Sequence, residues 1–532
     1  MNGETDFTSV WIILGYLALL MALGIFAGRF LKGTSADYFV VSRNVGAFLL
    51  LMSVFGTTMT GFALVGSTGK AYSHGIGTYG LMASWSGLIH SAVFFMVGIK
   101  LWAAGKRYGY VTQCEYFRER FQSPALGYLL FPILVLLVIP YLLVGVIAAG
   151  RFIQATTGGM FPEVSGFQMP DIPLPDGGSR PNPLSGGLSP QYGSALICLI
   201  VLFYVFLGGL RGAVWANTFQ TIVFMVTGVV AFYMISTSMD GLVEASRRVA
   251  EDTFASERLA RDGLMGHLQF FSYCLIPLSV GMFPHLFQHW LTARSAKTFR
   301  LTVVAHPIFI MVVWLPCILI GVWAAAQLGP GVNPNAVLGR MVKDLVHSPV
   351  LGGFVGAGVL AAIMSSLDSQ FMCLGTMFTN DIVFRVFGRE RFTEKQKILI
   401  ARGFILFIVA ATYGLSVMLM GTTGVFALGV WCFSGFASLF PLVVAAVYWP
   451  RATKVGAFAS IITTAVVWII LFTLDLKHKQ AEGVGGEDEL LVFGMMPVAI
   501  IFTASAVALV VGSLLSQPPP RETVQKFFAK PI

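Results

Sequence analysis

A carboxylate and several hydroxyls lie close together in one apolar stretch, residues 361–369. The stretch reads AAIMSSLDS and carries the side chains of Ser365, Ser366, Asp368 and Ser369. On a helix, one face would carry Ala362, Ser365, Ser366 and Ser369, and Asp368 lies one turn beyond Ser365. These oxygen atoms, together with the carbonyl of Ala362, suit a hard cation that takes oxygen ligands. The alternative is that the hydroxyls bond to carbonyls of their own helix and that the carboxyl is satisfied inside the bundle.

The whole chain is strongly apolar. Of its 532 residues, 56% are hydrophobic and 11% are charged, and the mean hydropathy is +0.79. Soluble domains carry roughly 25% charged residues, because they must cover themselves with polar groups. The composition therefore predicts an all-α integral membrane protein. It argues against a nucleic-acid-binding protein, a cytosolic enzyme and a disordered chain.

Apolar segments of about 20 residues mark the helices that cross the membrane. Thirteen such segments are found, near residues 8–30, 45–69, 78–102, 124–150, 190–208, 212–236, 268–291, 301–327, 352–384, 397–420, 422–449, 455–474 and 490–515. Because this number is odd, the two termini are expected on opposite sides of the membrane. Residues 1–517 are predicted to form a single polytopic membrane domain, with a short tail over 518–532.

The distribution of basic residues predicts the orientation. One set of alternate loops holds 23 of the 34 lysines and arginines, whereas most acidic residues lie in the opposite set. Cytoplasmic loops carry the excess of Lys and Arg. We expect a multi-pass protein of the plasma (inner) membrane, with its N-terminus outside and its C-terminus in the cytoplasm. Asp368 belongs to neither set of loops, since it lies inside the ninth segment, and acids at that depth usually mark ion or substrate paths.

Two apolar segments are interrupted in a similar way. Residues 55–61 read FGTTMTG, and residues 277–285 read PLSVGMFPH. Each begins a set of five helices, over about 45–236 and 268–449, and an odd number gives the two sets inverted topology. Interrupted helices at matching places of inverted repeats expose carbonyls that bind cations at the midplane. One extra helix would precede the repeats and two would follow them. The alternative is that the glycines only allow close helix packing.

Four stretches together resemble the sodium:solute symporter family. They are residues 35–75 (from SADYFVV to AYSHG), residues 208–217 (GGLRGAVWAN) followed by Gln220, Pro284-His285 with TARSAK at 292–297, and AAIMSSLDSQ at 361–370. The resemblance covers nearly the whole chain. It implies the leucine-transporter fold and a symporter in which a sodium gradient drives import of a small organic solute by alternating access.

The resemblance also implies a sodium site between the first and eighth core helices. Its ligands would be the carbonyls of Gly56, Met59 and Ala362 and the hydroxyls of Ser365 and Ser366. Sodium is thus expected as the coupling ion.

The chain departs from the family pattern near this site. Members with a second sodium carry an aspartate where this chain has Asn217, and serines where it has Asp368 and Ser369. The carboxylate is therefore on the opposite side of the same gap. Our hypothesis is that Asp368, Ser369 and Asn217, together with Ser365, form a second cation site or a proton-accepting carboxyl.

Candidate substrate contacts lie on the two interrupted helices and the third segment. They are Thr57, Thr58, Thr60, Ser84, His90, Ser279 and Phe283. Proline-transporting relatives carry an aspartate at Thr58, and sugar transporters of the family carry Asn-Gln at Pro284-His285, so proline and hexoses are disfavoured. The substrate is expected to be a small carboxylate or an amino acid, since the N-terminus of a half-helix suits a carboxylate. His90 could equally be a hydrogen-bonding group between packed helices.

Three other functions are compatible with a helical membrane protein. An intramembrane enzyme is disfavoured because the sequence has no HExxH, no GxSxG and no pair of intramembrane carboxylates. A membrane solute sensor that retains the transporter fold stays open, as does a proton-coupled symporter that uses Asp368. The expected partners are a small-molecule substrate, sodium ions and membrane lipids, without nucleic acid, and the oligomeric state is left open.

Overall fold

The structure, a computed structural model, describes residues 6–29, 33–173, 179–420, 424–482 and 490–528. Within these residues, ten helices are long and apolar enough to cross a membrane. They are α1 (Thr8–Arg29), α4 (Gly77–Tyr108), α5 (Pro124–Thr157), α6 (Pro190–Ser238), α9 (Ala296–Leu328), α10 (Pro349–Phe387), α11 (Glu394–Leu419), α12 (Val425–Tyr448), α13 (Lys454–Lys479) and α14 (Pro497–Leu514).

Two further spans are broken, each in a segment where the sequence predicts an interruption. Helices α2 (Ala47–Thr58) and α3 (Phe62–His74) meet at 58°, and α7 (His267–Gly281) and α8 (Pro284–Thr292) meet at 49°. Each pair is long and apolar enough to count as one bent span, which raises the number of candidate spans to 12.

Helix α6 accounts for the difference between these 12 candidate spans and the predicted thirteen, because it covers two of the predicted segments, 190–208 and 212–236. It has 49 residues, and a straight helix of this length would extend about 70 Å, more than twice the hydrocarbon thickness. The chain turns sharply at Gly209, whose φ of 54° and ψ of −153° suit glycine. A Cβ at Gly212 would lie only 3.5 Å from the carbonyl oxygen of Tyr204, so the chain folds back here. The count of thirteen stays a prediction.

The remaining regular structure is short. A two-residue ladder pairs Ile172–Pro173 with Ser179–Arg180. The short helices with at least six residues are Ser35–Val40, Gln113–Arg120, Leu242–Glu251, Val337–Leu345 and Arg521–Phe528. The last of these lies in the predicted tail, whose residues 529–532 are outside the described part, as are residues 483–489 of the acid-rich loop before α14.

Helix α10 forms the centre of the bundle. Most of its residues are buried, and it packs against α1, α2, α5, α6 and α11. Helices α13 and α14 pack mainly against each other, and only about a third of the residues in each are buried. The chain thus places α10, which carries Asp368, in the interior and its last two long helices at the periphery.

Candidate functional site

The break between α2 and α3 frees backbone carbonyls in the interior of the bundle. Helix α2 ends at Thr58, and Met59 is extended, with φ −89° and ψ 101°. In a continuous helix the N–H of Ala63 would reach the carbonyl of Met59, but it donates instead to Thr60 O at 2.9 Å. Carbonyls in the last turn of a helix lack partners within that helix. Gly56 and Met59 therefore both lie where carbonyl oxygens are available to a ligand.

Ser365 on α10 reaches directly across to this break. Its hydroxyl lies 2.8 Å from Gly56 O and 2.9 Å from Ala362 O, and all three residues are buried. One hydroxyl proton is thus shared between two carbonyl oxygens. Three oxygen atoms thus converge at a buried place, where a small hard cation could bind in place of these hydrogen bonds.

The two other predicted sodium ligands, Met59 and Ser366, are not among these three converging oxygen atoms. Met59 lies at the break itself, within the same segment as Gly56. The hydroxyl of Ser366 is turned back onto its own helix, where it donates to Ile363 O at 2.9 Å. This bond is the helix-internal alternative that the sequence left open, so Ser366 would have to rotate its hydroxyl to reach a cation between α2 and α10.

Asp368 lies at the centre of a buried polar network. The hydroxyl of Tyr204 donates to Asp368 Oδ2 at 3.0 Å, and that of Ser369 donates to Oδ1 at 3.0 Å. Asp368 forms no ion pair with a lysine or arginine among the residues that the structure describes. An ionised carboxylate in such a place needs a cation, or it must take up a proton.

Ser369 connects this carboxyl to two other helices. The Nδ2 of Asn217 on α6 donates to Ser369 Oγ at 2.9 Å, and Nε2 of His289 on α8 lies 2.9 Å from the same oxygen. A hydroxyl has one proton to donate and accepts two bonds. If Ser369 donates to Asp368, His289 must carry its proton on Nε2. The structure therefore brings Asp368, Ser369 and Asn217 together, and it adds Tyr204 and His289.

A small cavity of about 30 Å³ lies beside the two breaks, room for about two water molecules. It is lined by residues of both broken spans and of α4, α5, α9 and α12: Thr58, Phe62, Ser86, His90, Tyr141, Tyr273, Ile276, Pro277, Ser279, Val280, Phe283, Trp314 and Phe433. This cavity is the candidate substrate site.

Four of the seven predicted substrate contacts line the cavity, namely Thr58, His90, Ser279 and Phe283. Thr57 and Thr60 are buried at the break but are not part of its lining, and the Thr60 hydroxyl accepts a bond from the N–H of Phe62 at 3.0 Å. Ser84 lies on an exposed part of α4, away from the cavity. Ser86 lines the cavity instead, because it lies one turn from His90 on the same helix face.

The sequence does not predict several residues that the structure places at the site. Tyr204, His289, Tyr141 and Phe433 are brought to the site by long-range packing, and no local spacing marks them. His306 lies 3.1 Å from His90, a contact between residues 216 positions apart. Ser86 could have been predicted from the sequence, because it precedes the predicted contact His90 by four residues and therefore lies on the same helix face. Among the described residues, no cluster of three or more His, Cys, Asp or Glu side chains could hold a metal ion.

Known proteins resemble this chain in sequence and in fold. A sodium/proline symporter of Staphylococcus aureus (strain JH9) is 23% identical, over 97% of this chain and 94% of the relative. A solved Na⁺-coupled sialic acid symporter in a substrate-bound, outward-open state superposes with a TM-score of 0.73 at 17% identity, covering 97% of this chain and all of that one. A nucleobase-cation-symport-1 family transporter in a closed conformation gives 0.54 at 14% identity, over 94% and 97%.

These similarities confirm the predicted fold class, an all-α membrane protein with the leucine-transporter fold, and they identify a transporter and not an enzyme. The model of the family described as "Sodium:solute symporter family" matches residues 38–161 and 184–464, most of the chain including both broken spans. The chain therefore belongs to the sodium:solute symporter family.

Proposed function

We propose that the protein is a symporter that uses the sodium gradient to import a small organic solute, a carboxylate or an amino acid. The observation that carries this proposal is the contact between Ser365 and Gly56, which places a hydroxyl and two carbonyls between the broken first helix and α10. Sodium would be held there by the carbonyls of Gly56, Met59 and Ala362 and the hydroxyl of Ser365, with Ser366 after rotation of its hydroxyl.

The position of this site explains how sodium could couple to the solute. Gly56 belongs to the first proposed repeat, residues 45–236, and Ser365 belongs to the second, residues 268–449. A cation that binds both stabilises the conformation in which the repeats are close at this point, and its loss favours the other. Thr58, two residues after Gly56, lines the substrate cavity. Sodium binding would thus order the same turn that contacts the solute.

A second ion is proposed at Asp368. Its carboxyl is buried, forms no ion pair within the described part of the chain, and is held by Tyr204 and Ser369. A second sodium, with Asn217 and Ser369 as further ligands, or a proton would neutralise it. Proton-coupled symport through Asp368 is therefore the second candidate function, and it is supported by the same burial.

We further propose that residues 1–517 form one membrane domain in the plasma (inner) membrane, with the N-terminus outside and the C-terminal tail, 518–532, in the cytoplasm. The distribution of Lys and Arg among the loops supports this orientation. Membrane lipids, sodium and the solute are the proposed partners.

Uptake by purified protein in liposomes tests the proposal. Labelled carboxylates, amino acids, sugars and vitamins would be offered with an inward sodium gradient, and in matched liposomes with potassium alone or with a proton gradient. We expect at least one solute to accumulate above its external concentration only when sodium is present. Accumulation driven by the proton gradient alone would replace sodium coupling by proton coupling. Sodium-dependent binding of a solute without any accumulation would favour a solute sensor.

A further inference from the structure

Two buried histidines face each other beside the substrate cavity. Nδ1 of His90 on α4 lies 3.1 Å from Nε2 of His306 on α9. The ring of His306 is fully buried between Phe55 and Phe94, which meet it edge to face at 5.3 Å and 4.9 Å. Among the described residues, none forms a hydrogen bond with His306 Nδ1. His90, in contrast, lines the cavity.

The unpartnered nitrogen of His306 decides which way the pair is protonated. If His306 carried its proton on Nδ1, that N–H would be buried without an acceptor. If it carries the proton on Nε2, only a lone pair of Nδ1 is left unsatisfied. Buried N–H groups without partners are rarer than unsatisfied acceptors. His306 therefore donates from Nε2 to His90 Nδ1, and neutral His90 must carry its own proton on Nε2.

The cavity thus contains a fixed hydrogen-bond donor. Since Nδ1 of His90 is engaged with His306, the Nε2–H group is the one left for a ligand in the cavity. The other polar groups nearby include the hydroxyls of Ser86 and Ser279. Among the lining residues that the structure describes there is no Asp, Glu, Lys or Arg, so none of them offers a side-chain carboxylate to a substrate ammonium group. The walls are largely aromatic, with Phe62 and Trp314 among them.

We infer that His90 donates its Nε2–H to a carboxylate oxygen of the substrate, that His306 positions His90 for this bond, and that the substrate is a small monocarboxylate with an apolar body. This inference rests on the proposed transport function and selects one of its two substrate classes. The positive ends of the half-helix dipoles and the neighbouring sodium would balance the single negative charge. A zwitterionic amino acid would bring an ammonium group for which the lining offers no charged partner.

Matched ligands and a matched pair of variants test the role of His90. Sodium-dependent uptake of propionate and butyrate would be compared with uptake of the corresponding primary amides and of alanine. We expect the carboxylates to be preferred. The change His90→Gln keeps an N–H donor near the position of Nε2 and should retain the preference. His90→Met removes the donor and should weaken carboxylate affinity roughly ten- to hundredfold, the size of a hydrogen bond to a charged group.

A double-mutant cycle tests whether His306 acts through His90. His306→Met should lower carboxylate affinity in the wild-type background and have little further effect in the His90→Gln background. Equal losses in both backgrounds would show that His306 only supports the packing. The tautomer itself can be measured without altering the pair, from the ¹⁵N shifts of histidine-labelled wild-type protein. The His90→Gln protein serves to identify the His90 signal.

An unprotonated Nε2 on neutral His90 would overturn the inference, as would a preference for amides or for amino acids over the carboxylates. Failure of the underlying transport proposal looks different. In that case no solute accumulates with sodium, while the ¹⁵N spectrum still reports the tautomer of His90.

Discussion

The hydroxyl of Ser365 lies 2.8 Å from the carbonyl oxygen of Gly56, although the two residues are 309 positions apart in the chain. The contact joins the last turn of a broken helix to the most buried region of α10. The same hydroxyl lies 2.9 Å from Ala362 O. Two carbonyls that share one proton are readily converted into ligands when a cation arrives, because the hydroxyl then turns a lone pair toward the ion.

The first prediction concerns this hydroxyl. Ser365→Ala leaves both carbonyls in place but removes the oxygen atom that connects them. We expect the sodium concentration for half-maximal uptake to rise about tenfold or more, the range for loss of one bond to a charged partner. The measurement is initial uptake in liposomes across a sodium series, with potassium keeping the ionic strength constant.

Ser416→Ala is the matched control. The hydroxyl of Ser416 is also buried, but it donates to Tyr413 O at 2.7 Å within its own helix, α11. This variant should show an unchanged sodium dependence. If Ser365→Ala behaved in the same way, the site between α2 and α10 would not be a sodium site.

The second prediction concerns the position of the buried carboxylate. Asn217 and Asp368 belong to one network through Ser369, at 2.9 and 3.0 Å. Asp368→Asn should abolish or reduce the dependence of uptake on one of the coupled ions, because the only charge in this network is removed. The double change Asn217→Asp with Asp368→Ser places the carboxylate on α6 instead of α10. We expect this variant to recover the ion dependence that Asp368→Asn has lost.

The measurement is uptake as a function of sodium and of pH, which separates a second sodium from a proton. Loss of pH dependence alone would assign a proton to Asp368, and a lower Hill coefficient for sodium would assign a second sodium. Asp262→Asn, a change at an exposed surface acid, is the control. Unchanged ion dependence in Asp368→Asn would exclude both roles.

Local patterns explain why much of this architecture could be predicted. Apolar length marks the spans, and glycine and proline mark the breaks, so residues 55–61 and 277–285 fell where α2 and α7 end. Helical spacing alone predicts that Ser365, Asp368 and Ser369 of α10 lie close together. The sequence predicts a boundary between two spans around Gly209, and the structure shows a chain reversal there with a backbone conformation that suits glycine.

Long-range packing explains what could not be predicted. Tyr204 and His289 reach Asp368 and Ser369 from other helices, and nothing in their sequence neighbourhood indicates this. Ser84 is a predicted contact but points away from the cavity, and Ser86 lines it instead, because the rotation of α4 about its axis depends on its neighbours. The turned-back hydroxyl of Ser366 is a rotamer choice that sequence spacing cannot decide.

The third prediction concerns the orientation in the membrane. Ser165 lies exposed in the loop after α5, and Glu390 lies exposed between α10 and α11. In intact cells, Ser165→Cys should react with a membrane-impermeant maleimide, whereas Glu390→Cys should react only after permeabilisation. Five of the six native cysteines are buried, so the unmodified protein gives the background. The reverse pattern would invert the proposed topology.

The fourth prediction concerns the space around Gly56. A Cβ at this position would lie 2.5 Å from Thr221 Oγ1 and 3.3 Å from Asn217 O. Thr221 cannot easily move, because its hydroxyl donates to Met52 O at 3.0 Å. Gly56→Ala should therefore lower stability by about 1–3 kcal/mol, as overpacked cores do. The measurement is the melting temperature of the purified protein in potassium, where loss of sodium binding does not contribute.

Two further variants make this prediction specific. Gly46→Ala changes a glycine just before the same helix, where a Cβ meets no atom of the described residues within 4 Å, and it should leave the melting temperature nearly unchanged. Thr221→Ala removes the atom that the new methyl group strikes, so the double variant with Gly56→Ala should be more stable than Gly56→Ala alone. Additive losses in the double variant would contradict the steric explanation. The double variant could also recover its melting temperature without recovering the sodium dependence of uptake. That result would show that α2 must approach α6 closely for packing. It would also show that the cation site needs the unobstructed carbonyl of Gly56.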